Sequence, residues 1–286
     1  MIELLSLYLA FILGMNNAGL LSGTLVAGGM SYRNSIIIII IGFIIGFVIE
    51  GEKIANTLES ISKIDIEIQL VVTSILLTIF TIIGMPVSMV NLLIAAHIGK
   101  ALAINAEIDL TILASILIAW IIAPLVTILS SIILYEILKR MVNNISLLSL
   151  NKFYSIATLV TTFYMAYALS ANNIALLSID SLSFILPFMA IIGMINKKVA
   201  FVISEDIVGQ SRLTILSTFI ASSSLLWLFT QFSIPISLTQ MVLAGLIVNN
   251  LHKRPRIYNK SKLLMLVTSS ILSTITSLLI AYYLPP

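Results

Sequence analysis

The sequence predicts an all-α polytopic membrane protein of two inverted-topology repeats, each with three spanning helices and a re-entrant helical hairpin. Three observations predict this fold: an apolar composition, ten hydrophobic segments, and short polar motifs that occur twice in the same order. The predicted repeats are 1–142 and 143–286, which together form one transmembrane domain.

The composition places the chain in a lipid bilayer. Of its 286 residues, 59% are hydrophobic and 9% are charged, and the mean hydropathy is +1.14, whereas about 25% of a soluble domain is charged. Cysteine is absent and neither histidine has a second metal ligand nearby, so we expect no disulfide, no metal centre and no cofactor. The N-terminus lacks the basic start and cleavage site of a signal peptide and is predicted to be a membrane segment. Nothing in the composition indicates nucleic-acid binding.

Ten apolar segments follow one another along the chain, and a run of roughly 20 apolar residues is enough to span the hydrocarbon core. They are 3–29, 35–50, 69–84, 86–103, 110–138, 153–178, 183–203, 213–231, 235–250 and 263–284. A longer polar loop, 51–67, separates the second segment from the third.

Proline separates two adjacent pairs of these segments. Pro86 divides the third from the fourth, and Pro235 divides the eighth from the ninth. Proline is preorganised for the first turn of a helix, so both prolines are predicted to start the second arm of a re-entrant hairpin. The alternative is a proline kink within ordinary spanning helices.

The same motifs occur in both halves. The stretch "GMNNAGL" (14–20) returns as "SANNIAL" (170–176), and "PVSMVN" (86–91) returns as "PISLTQ" (235–240). Asn16 and Pro86 are 70 positions apart (86 − 16), and Asn172 and Pro235 are 63 apart (235 − 172). Because each half has five segments, the second half enters from the opposite side of the membrane. Inverted repeats with interrupted segments are typical of secondary transporters.

The charges predict the orientation. Loops that the crossing count assigns to the side opposite the N-terminus carry 12 of the 15 basic residues and 3 of the 12 acidic residues. The positive-inside rule makes that side cytoplasmic, so both termini are expected outside the cell membrane. The basic stretch 252–262 is interpreted as a loop that sets this topology, with anionic-lipid binding as the alternative.

A binding site is expected where the paired asparagines and the two proline–serine stretches meet. Asn16, Asn17, Asn172 and Asn173 supply amide donors, and Ser88, Ser237 and Thr239 supply hydroxyl groups. Helix N-termini add unpaired N–H groups, and no acidic residue lies at these places, so the pattern favours a small oxyanion. The alternative role of the asparagines is hydrogen bonding between packed helices.

Two further polar residues lie in the fourth segment. Lys100 is expected to extend toward the outer surface, and His97 is expected to lie at the membrane interface.

At these residues the sequence resembles the inorganic phosphate transporter (PiT) family, which carries G-A-N-D-V-A-N and P-V-S-T-T motifs in each inverted repeat. The stretch "NKKVAFVI" (196–203) is also similar to a family motif. The resemblance implies transport of phosphate, or of sulfate in some branches, driven by sodium ions or protons. It assigns Asn16, Asn172, Ser88, Ser237 and Thr239 to anion binding.

The sequence departs from the family pattern at the positions of the coupling ion. The family aspartate is Asn17 in one repeat and Asn173 in the other, and the two threonines of the first P-V-S-T-T motif are Met89 and Val90. A site without these two acids lacks the negative field that would hold sodium. Sodium or proton coupling at Asn17 and Asn173 therefore stays open.

Three functions are consistent with these features. The leading hypothesis is a phosphate permease that works by symport, with sulfate or another small oxyanion as the alternative substrate. The second is an uncoupled anion facilitator, and the third is a transport-inactive membrane partner protein. No nucleophile–base or carboxylate pair is found in the membrane segments, so an enzyme is not expected. A homo-oligomer is left open.

Overall fold

The computed structural model describes residues 1–27, 32–83, 85, 87–143, 145–178, 181–195, 211–253 and 260–285. All regular elements in these ranges are helical. The α-helices are α1 Ile2–Ala27, α2 Tyr32–Glu50, α3 Glu52–Ala55, α4 Thr57–Ile61, α5 Glu67–Ile83, α6 Met89–Ala103, α7 Leu110–Val142, α8 Leu147–Leu169, α9 Leu186–Met194, α10 Arg212–Gln231, α11 Leu238–Lys253 and α12 Lys260–Tyr283. A π-helical turn, Ser170–Ile174, and two 3₁₀ turns, Ala175–Leu177 and Ser181–Ile185, lie between α8 and α9.

Each of the ten predicted segments overlaps one of these helices over most of the helix's length. The prediction that 51–67 is a loop was wrong in one respect, because this stretch contains the short helices α3 and α4. The stretch 196–203, with its likeness to a family motif, lies outside the described residues, as do Lys197, Lys198 and most of the basic stretch 252–262.

Three described helical runs are long and apolar enough to cross a membrane: Leu110–Val142, Leu147–Leu177 and Arg212–Gln231. The first of these, α7, exposes large apolar side chains at intervals of four residues, at Ile121, Leu125, Leu129 and Ile133. Such a face suits contact with lipid chains. The predicted segment 213–231 matches α10, whose 20 residues rise about 30 Å.

Glycines allow the closest helix contacts. A Cβ atom on Gly14 of α1 would lie 1.9 Å from the backbone oxygen of Ala190 in α9, and one on Gly193 would lie 1.9 Å from that of Phe11. The two backbones therefore touch through a reciprocal glycine contact. This contact explains the glycine of "GMNNAGL", since it fixes α1 two residues before its asparagines.

The helices pack in matching pairs. In the first half, α1 packs against α9 and α5, and α6 packs against α12 and α5. In the second half, α8 packs against α2 and α10, and α11 packs against α7 and α10. Helices of each half thus lie against helices of the other half, including α1, α2, α6 and α7 of the first half and α8, α9, α11 and α12 of the second.

Two connections interrupt the helices where the prolines were noted. We call 84–88, between α5 and α6, the first tip, of which residues 84 and 86 are not described, and 232–237, between α10 and α11, the second tip. The prediction that Pro235 starts a helix was wrong, because α11 begins three residues later and Ser237 caps it. Pro86 itself lies outside the described residues, but α6 begins at Met89 behind its cap, Ser88.

One expectation about α6 was also wrong. Lys100 is 5% exposed and does not reach the surface, because its ammonium donates to the backbone oxygen of Leu284 at 3.0 Å. The last carbonyls of α12 lack partners within their own helix, so they attract a cation. His97 is also buried, with Nε2 3.1 Å from the Ser62 oxygen and Nδ1 3.4 Å from Gln69 Nε2.

Candidate anion-binding site

The seven residues predicted for the site are all buried, with at most 8% exposure. Asn16 and Asn17 lie in the middle of α1, and Asn172 and Asn173 lie in the π-helical turn that ends α8. The other three surround the starts of α6 and α11, where they were expected: Ser88, Ser237 and Thr239.

Asn16 holds the first tip. Its Nδ2 atom donates to the backbone oxygen of Val87 at 2.9 Å, although the two residues are 71 positions apart. Val87 directly precedes the cap of α6, so this bond positions the start of that helix against α1.

Asn172 and Asn173 hold the second tip in a more extensive way. Asn172 Nδ2 donates to Thr230 Oγ1 at 3.0 Å and to the Ile234 oxygen at 3.1 Å, and its Oδ1 accepts from the Ile236 N–H at 3.0 Å. Asn173 Nδ2 donates to the Ile236 oxygen at 3.2 Å. Both amide hydrogens of Asn172 are therefore engaged by α10 and the second tip.

Asn17 connects the two halves. Its Nδ2 donates to the Leu13 oxygen of its own helix at 3.0 Å, while its Oδ1 accepts from Thr239 Oγ1 at 3.5 Å. Consecutive residues of α1 thus contact different halves of the molecule: Asn16 contacts the first tip, and Asn17 contacts the start of α11, the helix that follows the second tip. The asparagine motifs and both tips are brought together.

The first turn of each helix that follows a tip is capped by serine. Ser88 Oγ accepts from the Asn91 N–H at 3.3 Å, and Ser237 Oγ accepts from the Gln240 N–H at 3.2 Å. The uncapped N–H groups of a first turn, together with the helix dipole, make these two starts positive in potential. Two such starts beside neutral amides form an environment suited to an anion.

One acceptor in the site has no partner. Asn173 is 3% exposed, and its Oδ1 atom makes no hydrogen bond within the described part of the chain. Asn17, its counterpart in the first half, uses Oδ1 for Thr239. The residue of α6 that corresponds to Thr239 in the motif is Val90, which has no hydroxyl group to donate.

A buried carboxylate lies beside the second tip. Glu50, the last residue of α2, accepts from Trp227 Nε1 at 3.0 Å and from Gln231 Nε2 at 2.6 Å, both on α10. The Nζ atom of Lys53 in α3 lies 3.8 Å from Glu50 Oε2. These bonds fix the end of α10 against the first half of the molecule.

A cavity of about 440 Å³ opens next to this tip. Its lining includes Ser233 and Ile234 of the tip, Lys53 and Asn56 of the short-helix region, and Ser115 of α7. Since Asn172 bonds the Ile234 oxygen, the cavity reaches the backbone that the second asparagine pair holds.

The family model described as the phosphate transporter family matches residues 13–176, which is more than half of the chain and includes both asparagine pairs and the first tip. The chain belongs to the phosphate transporter family. The family resemblance of the motifs is therefore confirmed, and the family is one of transporters, not enzymes.

Two individual proteins are similar to this family member. A protein of Methanocaldococcus jannaschii described as a "putative phosphate permease" is 28% identical over 251 residues, covering 85% of this chain and 82% of its own. A solved structure of a sodium-dependent phosphate transporter superposes with a TM-score of 0.82 at 16% identity, covering 99% of this chain and 97% of that one. The second similarity establishes the fold.

Sequence reasoning missed two features of this transporter's site. The π-helical turn has no glycine or proline to signal it, only "SANNI", although such turns often occur at functional sites. Asn91 is a polar residue of the fourth segment that was not assigned to the site, although it accepts from Ser88 Oγ at 3.0 Å. The Ser-x-x-Asn spacing, a cap followed by a polar residue in the third helical position, was the signal available.

Proposed function

We propose that this protein is a secondary transporter that moves inorganic phosphate across the membrane by alternating access, coupled to a cation. The observation that carries the proposal is the meeting of two asparagine pairs with two helix starts. Asn16 bonds Val87, Asn172 bonds Ile236, and Asn17 accepts from Thr239. Membership of the phosphate transporter family supports the same function.

The two repeats, 1–142 and 143–286, form the alternating-access machinery in this proposal. Their inverted relation is supported by the matched packing, in which α1 lies on α9 as α8 lies on α2, and α6 lies on α12 as α11 lies on α7. Glycine contacts also recur, since a Cβ on Gly46 of α2 would lie 2.1 Å from the Tyr167 oxygen of α8. Rocking of one repeat against the other would expose the site to each side in turn.

The anion lies between the two helix starts. The site that holds it is lined by three hydroxyl side chains near the starts of α6 and α11: Ser88, Ser237 and Thr239. Two asparagines set the shape of this site, because Asn16 holds the first tip against α1 and Asn172 holds the second tip against the π-helical turn. A dehydrated anion needs donors in place of its lost water, and the two helix N-termini supply them without introducing a positive side chain.

Phosphate is favoured over sulfate by the unpaired Oδ1 atom of Asn173. Phosphate at neutral pH carries a P–O–H group that can donate to such an acceptor, whereas sulfate has no proton to donate. A site that hydrogen-bonds a substrate hydroxyl discriminates strongly against an analogue that lacks it.

The coupling ion is a sodium ion or a proton, and the positions proposed for it are Asn17 and Asn173. The fold neighbour is a sodium-dependent transporter by name. With amides in place of the family aspartates, only neutral oxygens are available at these two positions. An uncoupled facilitator is the second candidate function, because the same amides weaken a cation site.

We place the protein in the cell membrane with both termini outside, on the strength of the charge distribution. Protease-accessible tags at each end test this orientation. Protection of both tags in intact cells would show the opposite orientation. Protection of only one tag would contradict the inverted repeat.

Uptake by proteoliposomes tests the function. Radiolabelled phosphate should accumulate against its gradient when an inward sodium or proton gradient is imposed, and unlabelled sulfate should compete poorly. Equilibration without accumulation would support the facilitator. Absence of both uptake and phosphate binding would contradict transport and favour a transport-inactive membrane partner.

A further inference from the structure

Asn91 lies in the first turn of α6 and is only 5% exposed. Its backbone N–H donates to Ser88 Oγ at 3.3 Å, and Ser88 Oγ donates its proton to Asn91 Oδ1 at 3.0 Å. The hydroxyl proton of Ser88 is therefore already used. The same bond fixes the orientation of the Asn91 amide, with its oxygen toward Ser88 and its Nδ2 group away from it.

The two bonds between Asn91 and Ser88 use the Oδ1 atom and the backbone N–H of Asn91, and within the described part of the chain no bond uses its Nδ2 group. This amide group is therefore available to donate to a ligand or to water. The group lies at the N-terminus of a 15-residue helix, where the dipole and the free backbone N–H groups favour negative charge. A donor at a positive helix end is suited to an oxyanion.

The second tip presents a different set of groups. The second and third residues of α11 are Thr239 and Gln240, and Gln240 Nε2 donates to Ser270 of α12. In α6 the same positions are Val90 and Asn91. At the start of α11, the hydroxyl group of Thr239 is occupied by Asn17 and the amide of Gln240 by Ser270. The start of α6 has Val90 in place of that threonine and offers the amide of Asn91.

We propose that Asn91 Nδ2 is the side-chain donor with which the first tip binds a phosphate oxygen, and that Ser88 is the cap that positions it. This inference rests on the proposed function, since it names a ligand of the same site. Asn91 lies one position beyond the P-V-S-T-T motif, so the motif comparison does not assign it. Ser88 then acts on the anion through Asn91.

The test measures phosphate affinity of the purified full chain in nanodiscs, by calorimetry and by the phosphate-dependent rise in Tm. Asn91→Ala should weaken binding about 10- to 100-fold, the loss expected for one hydrogen bond to a charged group. Asn91→Asp keeps an acceptor for Ser88, and hence the cap, but places negative charge where the donor was. It should bind phosphate more weakly than Asn91→Ala. Gln240→Ala is the matched control and should keep the wild-type affinity.

Wild-type affinity in both Asn91 variants would overturn the inference while leaving phosphate binding intact. Equal losses in Asn91→Ala and Gln240→Ala would also overturn it, because both amides would then serve only tip packing. If Asn91→Ala fails to fold, the nearly isosteric Asn91→Asp decides. A wild-type protein that binds no phosphate would overturn the proposed function, and this inference with it.

Discussion

Thr239 donates its hydroxyl proton to Oδ1 of Asn17 across 3.5 Å, and this contact joins the start of α11 to the middle of α1. The preceding residue, Asn16, holds Val87 of the first tip at 2.9 Å. One turn of α1 therefore contacts the first tip and the start of α11. Any rocking of the two halves must change at least one of these contacts, so α1 is where binding and movement are connected.

Removal of the Thr239 hydroxyl should weaken phosphate binding. Thr239→Val preserves the shape but removes the bond to Asn17, which positions the start of α11 beside α1, so affinity should fall roughly 10-fold. Thr239→Ser restores the hydroxyl and should recover most of the affinity. Calorimetry with both variants is the measurement, and equal affinities for valine and serine would contradict the role.

Ser237→Ala should have a larger effect than loss of a cap. Ser237 Oγ accepts from the Gln240 N–H, and in the proposed site its own proton goes to the anion. Affinity should fall about 10- to 100-fold. Ser223→Ala is the control, because that buried hydroxyl bonds the Phe219 oxygen within α10. A Ser237 variant that binds phosphate like the control would place the anion elsewhere.

Gly14→Ala should destabilise the protein and disable uptake. The added methyl group would meet the backbone oxygen of Ala190 at 1.9 Å, which no side-chain rotation relieves. Overpacking of this kind costs about 1–3 kcal/mol, and α1 must move away from α9 with both asparagines. Gly245→Ala is a milder comparison, because its nearest neighbour is a side-chain methyl of Thr218. Thermal unfolding in detergent measures the Tm of both variants. A lower Tm for the Gly245 variant than for the Gly14 variant would contradict the prediction.

The repeated motifs made much of this architecture predictable. The apolar segments locate the helices, and the recurrence of "NN" before a proline–serine stretch indicated which distant parts would meet. The pairing of the motifs predicts that Asn16 lies near the first tip. It does not predict that the backbone oxygen of Val87 is the atom that accepts from Asn16.

The remaining features depend on tertiary neighbours that the sequence does not identify. Lys100 resembles any lysine near a membrane surface until the end of α12 supplies a carbonyl for it. Pro235 satisfies the local rule for a helix start, yet Ser237 provides the cap and α11 begins after it. The π-helical turn is set by the bonds that Asn172 and Asn173 make to the second tip, and these are made only in the folded chain.

Glu50→Gln should loosen the end of α10. The carboxylate accepts from Trp227 and Gln231 at once, and a glutamine can replace only one of its two acceptor atoms. Bonds to a charged group contribute about 1.5–3 kcal/mol each, so Tm should fall. Lys53→Gln is the comparison, since Lys53 lies 3.8 Å away and is more exposed. An equal or greater loss in the Lys53 variant would place the stabilisation in the ion pair instead.

Asn17 and Asn173 stand where the family resemblance expects acids. Asn and Asp have nearly the same shape, so Asn173→Asp changes charge with little change in packing, although it loses the Nδ2 bond to the Ile236 oxygen. If the oxygens around the unpaired Oδ1 form a cation site, the new carboxylate should recruit sodium or titrate, and uptake should gain a dependence on sodium or pH that the parent lacks. If they do not, the buried charge lacks a partner and should repel the anion, lowering phosphate affinity.

Asn17→Asp provides the internal comparison for this test. Its Oδ1 already accepts from Thr239, which can still donate to a carboxylate, so a charge there has one stabilising bond that a charge at 173 does not have. Asn173→Asp should therefore show the stronger response to sodium or pH. The measurement is phosphate uptake by proteoliposomes of the parent and both variants across sodium concentration and pH. Variants that fold and transport like the parent under every condition would show that both amides serve helix packing and lie beyond electrostatic reach of the phosphate.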